Sequence, residues 1–263
     1  MVGELGPARR EELRRFLSAR PEANLPLVFA LEEGRGTFLG AQDEEGALSG
    51  VALVEDDGLA YLATQDPRAA RALGRALRSW KIETFLADAE TADIAWNAMV
   101  RAWPRLILNQ AIYSVTTETL APTGAPLPLR PARGEELPQV QTIARAMFWE
   151  EVGLPPSIPV LDAHLREELE EGSLWVLEED GQVIFLARVA ARCSAGAEVQ
   201  RVYTAPERRR RGIATAALGT LCQSLVGDLP RVVLRVNEKN RGAMRLYCKL
   251  GFSRCSRIRL YCR

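Results

Sequence analysis

Residues 198–214 read Glu-Val-Gln-Arg-Val-Tyr-Thr-Ala-Pro-Glu-Arg-Arg-Arg-Arg-Gly-Ile-Ala. A strand-forming run meets a proline stop, the arginines Arg208–Arg211 follow, and Gly212-x-Ala214 opens helical sequence. Few arrangements satisfy that order. The chain must leave a strand, turn sharply and start a helix whose first-turn N–H groups have no intrahelical partner. Such a helix start attracts anions, and arginine adds permanent charge beside it. The segment therefore implies an α/β fold and a phosphate-bearing ligand. Two generic phosphate motifs are missing. The chain has no Gly-x-x-x-x-Gly-Lys-Ser/Thr, and Gly34-x-Gly36 is followed by Gly40, too late for Gly-x-Gly-x-x-Gly. A solvated arginine turn or a nucleic-acid patch is the plain alternative reading.

A second patterned segment lies downstream. Val232–Val236 is a β-branched strand, and Asn240 can cap the helix that follows. Ala243, Leu246, Tyr247 and Leu250 share one helical face. Gly251 stands where a helix end favours left-handed backbone, and Phe252 starts the next strand.

Taken together, Arg209-x-x-Gly212-x-Ala214 and Asn240-x-x-Ala243-x-x-x-Tyr247-x-x-x-Gly251-Phe252 resemble the two signatures of the GNAT superfamily of N-acetyltransferases, in the family's order. The resemblance covers about residues 127–263. It implies acetyl-CoA as co-substrate, no metal, and a primary amine of a small molecule or peptide as acceptor. It further implies that Val202, Tyr203 and Thr204 offer backbone groups to the pantetheine arm. The N–H groups of Arg210, Arg211, Gly212, Ile213, Ala214 and Thr215 would hold the pyrophosphate, with Arg209 on phosphate oxygens and Asn240 near the pantetheine. Tyr247 would be the general acid, because a phenol with a pKa of about 10 keeps its proton at neutral pH. The strand carboxylate that some relatives use as base is replaced here by Arg235. Glu198 is the first substitute for it, and Glu150 and Glu151, expected to line the acceptor pocket, come next; an ordered water is a further option.

Composition narrows the alternatives. Lys+Arg and Asp+Glu both number 34, so the arginine run is a local feature and not part of a basic excess. No window approaches the roughly 18 uncharged apolar residues of a membrane span, and the N-terminus lacks an apolar signal core. A cytoplasmic monomer or homodimer with no nucleic-acid or membrane partner is expected. The five cysteines include no Cys-x-x-Cys and read as reduced thiols. Cys248, beside Tyr247, is the one weighed as a nucleophile. With a single histidine, His164, zinc chemistry and Ser-His-Asp hydrolysis fit poorly.

The pattern divides near the proline cluster of 121–131. Beyond it the order is two helices, three strands, helix, strand, helix, strand. The first half repeats much of this: a helix at 11–19, strands at 37–42, 50–55 and 59–64, a helix at 67–80, a strand at 83–87 and a helix at 91–103. It contains a literal echo, Arg71-x-x-Gly74-x-Ala76, but inside Ala-rich helical sequence. The expected organisation is two tandem GNAT-like domains, each a mixed, mostly antiparallel sheet flanked by helices. Residues 1–120 form a degenerate copy without cofactor, 121–130 a linker, and 131–263 the catalytic domain. The competing functional class is a non-catalytic acyl-CoA-binding or regulatory module.

Overall fold

The computed structural model describes residues 1–100, 102–153 and 157–263. In chain order the elements are β1 (Val2–Glu4), α1 (Arg10–Ser18), α2 (Leu25–Glu33), β2 (Thr37–Gln42), β3 (Leu48–Val54), β4 (Leu59–Ala63), α3 (Pro67–Ala76), β5 (Thr84–Asp88), α4 (Ala92–Met99) and β6 (Leu106–Val115). There follow β7 (Arg130–Pro131), α5 (Leu137–Val152), α6 (Ile158–Glu170), β8 (Leu174–Glu179), β9 (Gln182–Cys193), β10 (Gly196–Thr204), α7 (Ile213–Asp228), β11 (Val232–Asn237), α8 (Arg241–Lys249) and β12 (Ser253–Cys262). The chain forms two compact units, Met1–Ile112 with Arg254–Arg263, and Tyr113–Ser253.

In the first unit the strand order runs β1-β2-β3-β4-β5-β12. Neighbours are antiparallel except β4 and β5, which are parallel from Leu59↔Thr84 to Leu62↔Ala87. One face is covered by α3 and α4, whose Ala69, Leu73, Trp96 and Met99 pack against Phe85 and Tyr261. The second unit orders its strands β11-β10-β9-β8-β7, antiparallel except for the β10–β11 pair. Here α5 and α6 bury Val140, Ala144, Leu161 and Leu165 against Leu174, Val176 and Leu186. Each unit is thus a mixed, mostly antiparallel sheet with helices against it.

Three expectations need correction. The last strand belongs to the first unit, not to the second. Its residues 258–262 pair with Asp88–Thr84, and Tyr261 stacks on Trp96 at 4.7 Å between ring centroids. Tyr261 is 1% exposed in the core with Phe85 and Trp96, and burying so large a ring holds the strand to β5. The segment 121–130 is not a free tether either. Ala121 N–H donates to Leu250 O (3.0 Å), Leu127 N–H to Thr220 Oγ1 (3.1 Å), and the Thr123 side chain lies against Gly219. Finally, the helix expected over 91–103 ends at Met99, with residue 101 outside the described residues. Sequence patterning also missed β1, α2 and β6. Among the described residues, no helix is long and apolar enough to cross a membrane.

Candidate active site

The site is built where β10 and β11 part. They pair in parallel only over Ala197–Val199 with Val232–Leu234. Past Val199, β10 carries a bulge: Gln200 faces Arg188 and Tyr203 faces Leu186, so one extra residue sits on β10. Arg201 absorbs the irregularity with φ +51°, a left-handed conformation that costs a non-glycine residue about 1–2 kcal/mol. Among the described residues, the β10–β11 pairing stops at Val199 and Leu234, just before this bulge.

A cavity of about 410 Å³ opens at this split. The strands contribute residues 199–203 and 235–237. The helices contribute Met147, Glu150 and Glu151 from α5, the α8 cap Asn240, and Ala243 and Tyr247 from α8. Glu151 arrives there by helical periodicity. Val140 and Ala144 are buried, Met147 reaches the cavity, and 151 is the next position of the same stripe. Asn240 caps α8 through its Oδ1, which accepts from Ala243 N–H at 3.0 Å, and also lines the cavity.

Beyond the split lies the start of α7. Gly212 is its N-cap, with φ +80° and no side-chain cap. Nothing lies within 4 Å of where a Cβ would sit, so the left-handed backbone, not crowding, is what favours glycine there. The first intrahelical bond is Ala216 N–H to Gly212 O, which leaves the N–H groups of residues 213–215 pointing out of the helix end. The four arginines divide. Arg208 pairs with Glu179 (2.8 Å). Arg209 donates to Thr204 O (3.0 Å) and, through Nη2, to both Glu150 oxygens (3.0 and 2.9 Å), with its guanidinium 4.8 Å from the Tyr203 ring centroid. Arg209 therefore ties β10 to α5. Arg210, in left-handed backbone (φ +61°), and Arg211 are the exposed cations at the helix start.

Tyr247, Glu151 and Tyr203 are displaced from ordinary values. Tyr247 is 5% exposed, packed between Tyr113 and Phe252 at ring distances of 6.0 and 5.8 Å. Burial, then the Glu151 and Cys222 charges, push its pKa well above that of a free phenol. Glu151 is reached by solvent through the cavity, yet protein surrounds its carboxyl enough that burial raises its pKa, with Arg201 opposing. The Tyr203 hydroxyl donates to Glu150 (2.8 Å), and burial and that bond lift it to about 12 against Arg209.

Glu198 sits elsewhere. It is 2% exposed, does not line the cavity, and its Oε1 accepts from Arg235 Nε (2.5 Å) and Gln200 Nε2 (3.1 Å). Through Arg235 the Glu198 carboxylate acts as a strut between β10 and β11 rather than facing the cavity. Cys248 is exposed and outside the cavity wall. Arg201, Lys239 and Asn237 were not anticipated. Only the polar Gln200-Arg201 pair interrupting a β-branched run hinted at them, and a bulge leaves no clearer mark in sequence.

The corresponding place in the first unit differs at each point. There β4 and β5 stay paired to Leu62↔Ala87 without a register shift. The following helix, α3, starts at Asp66, whose carboxylate accepts from Arg68 N–H (2.8 Å) and sets a negative charge at the helix start. The echo's Gly74 lies mid-helix, where an added Cβ would stand 2.3 Å from Ala95 O. It is a helix-packing glycine.

Residues 142–252 match the family model described as Acetyltransferase (GNAT) family. A search of curated protein sequences gives no match. Solved structures resemble the whole chain. A GCN5-related N-acetyltransferase from Sphaerobacter thermophilus is 16% identical with TM-score 0.62, covering 100% of this chain and 95% of its own. A GNAT-family acetyltransferase from Colwellia psychrerythraea is 16% identical with TM-score 0.56, over 99% and 98%. A tandem GNAT protein from the clavulanic acid biosynthesis pathway is 14% identical with TM-score 0.52, over 99% and 97%. At these identities the likeness is one of fold, and it extends over both units.

Proposed function

Because residues 142–252 are a domain of the GNAT family, whose members are acyltransferases, we propose that this protein transfers an acetyl group from acetyl-CoA to a primary amine by direct attack. The observation that carries the reading is the split between β10 and β11, which runs from the cavity holding Tyr247 towards the uncapped start of α7. The fit to CoA is good at both ends. The open edge of β10 at Val202–Thr204 suits an amide-bearing arm that adds like a strand. The N–H groups of residues 213–215, with Arg210 and Arg211, suit a pyrophosphate.

The protein's own groups then divide the proton work. Glu151, poised by burial above the ordinary carboxylate range, accepts the proton that the amine must lose. As nitrogen bonds to the carbonyl carbon and the carbon–sulfur bond breaks, Tyr247 gives its proton to the departing sulfur. Glu150, tethered by Tyr203 and Arg209, fixes the end of α5 over the acceptor side. The first unit serves as a scaffold copy, since its strands do not part and its helix start is already occupied by Asp66.

A thiol-release assay with acetyl-CoA and an amine panel tests this. Turnover with at least one primary amine is expected. CoA binding with no thiol release from any amine would leave the reading of a non-catalytic CoA-binding module.

A further inference from the structure

The bulge residue Arg201 shares its buried carboxylate partner with a second arginine. Its Nη2 donates to Glu168 Oε1 at 3.0 Å, and Arg188 Nη1 lies 3.0 Å from the same oxygen. Glu168, on α6, is 3% exposed. Two guanidinium groups thus share one buried carboxylate, and the cluster keeps a net positive charge. Arg201 Nε is itself buried without a hydrogen-bond partner. Of the two cations, Arg201 is the one that lines the cavity, on the wall it shares with Glu151. Glu151 lines the same cavity, and the charge of Arg201 opposes the rise that burial gives its carboxyl. A left-handed arginine is also a strained choice where glycine would sit freely, and such strain persists where surrounding structure or function holds it.

We propose that the acceptor is a zwitterion, an amine that also carries an anionic oxygen group, and that Arg201 is the specificity-determining residue that binds that anion while the amine faces Glu151. The inference rests on the acyl-transfer reading for its use but not for its measurement. A guanidinium left without its anion in a partly dry wall disfavours a neutral analogue more than ordinary surface charge would.

The test uses matched pairs: free amino acids against their carboxamides, and O-phosphoethanolamine against ethanolamine. Thiol release from acetyl-CoA is read for the full-length protein and for Arg201→Met and Arg201→Lys. The expected result is kcat/KM about ten-fold or more higher for an anionic member than for its neutral partner. Arg201→Met should close that ratio to about two-fold, and Arg201→Lys should restore part of it. Which pair shows the preference separates carboxylate from phosphate. Neutral members turned over as well as anionic ones, or a ratio that survives Arg201→Met, would overturn the proposal. Calorimetric binding of the same pairs to the CoA-bound protein reads the same ratio without chemistry. Anion-selective binding lost in Arg201→Met, with no thiol release, would sustain this inference while the transferase reading fails.

Discussion

Replacing Tyr247 by Phe removes one oxygen atom from a residue otherwise held by packing. The ring contacts with Tyr113 and Phe252 do not involve the hydroxyl, so stability should move by less than about 1 kcal/mol, a thermal shift of roughly 2–4 °C at this size. Turnover should respond far more. General acid catalysis contributes about 10²–10⁴-fold. Burial raises the Tyr247 pKa well above neutrality, and an acid whose pKa lies far from the working pH gives up its proton with less driving force. The loss should therefore fall at the lower end, about 10²-fold, or about 2.7 kcal/mol at 1.36 kcal/mol per decade. Steady-state thiol release at saturating amine gives kcat, and titration with CoA gives affinity, which should change by less than about two-fold because in the proposed binding mode CoA meets β10 and α7 instead. A kcat for Tyr247→Phe within about two-fold of wild type, in a protein that still melts normally, would refute the acid role.

Other outcomes follow from the same geometry. If Glu151 is the base, kcat/KM falls as pH drops through its raised pKa, and Glu151→Gln removes that acid limb with a loss of about 10²-fold or more; an unchanged pH profile would remove it from the reaction. Stability moves oppositely: the folded state holds this proton more tightly than the unfolded chain, so the contribution is present at low pH and lost as pH rises from the unfolded to the folded pKa. Glu151→Gln should then unfold no earlier than wild type near neutral pH. Gly212→Ala forces an L-residue into left-handed backbone at the helix start, and should weaken CoA binding while costing about 1–2 kcal/mol. Gly74→Ala instead drives a methyl towards Ala95 O and should cost about 1–3 kcal/mol in a denaturation midpoint with CoA affinity unchanged; equal loss of CoA affinity in both would contradict the single-site reading. Neutralising exposed Arg210 or Arg211 should weaken CoA roughly two- to five-fold and flatten the salt dependence, whereas Arg208, already paired with Glu179, should matter less.

Much of this site could be read along the chain because its signals are local. A strand, a proline, Gly212 and a helix follow one another within a few residues, and backbone sterics there leave little choice. Asn240 as cap, Tyr247 on the inward face and Gly251 at the helix end rest on the same kind of short-range rule. Gly251 also meets a long-range demand that no pattern announces: its φ is +88°, and a Cβ would stand 1.9 Å from Thr119 O. The echo at Gly74 was separable from the site at Gly212 because the first lies within a helix and the second before one.

Tertiary structure decided what depends on residues distant in sequence. Glu198 and Glu151 are both acidic residues near patterned elements, and nothing local ranks them. Glu198 is paired with Arg235 across β10 and β11, while the stripe of α5 carries Glu151 to the cavity. Arg209 looks like its neighbours in the arginine run, but the fold spends it on Glu150 and Tyr203. The last strand follows the second motif in sequence yet pairs with β5. Legible along the chain were an α/β pattern, a helix start at Gly212 open at its N–H groups and a tyrosine on the inward face of α8, because those follow from backbone rules acting over a few residues. Which charges are paired, and which strands part to open the cavity, only the assembled sheet decides, because pairing energies depend on what folding brings within hydrogen-bond reach.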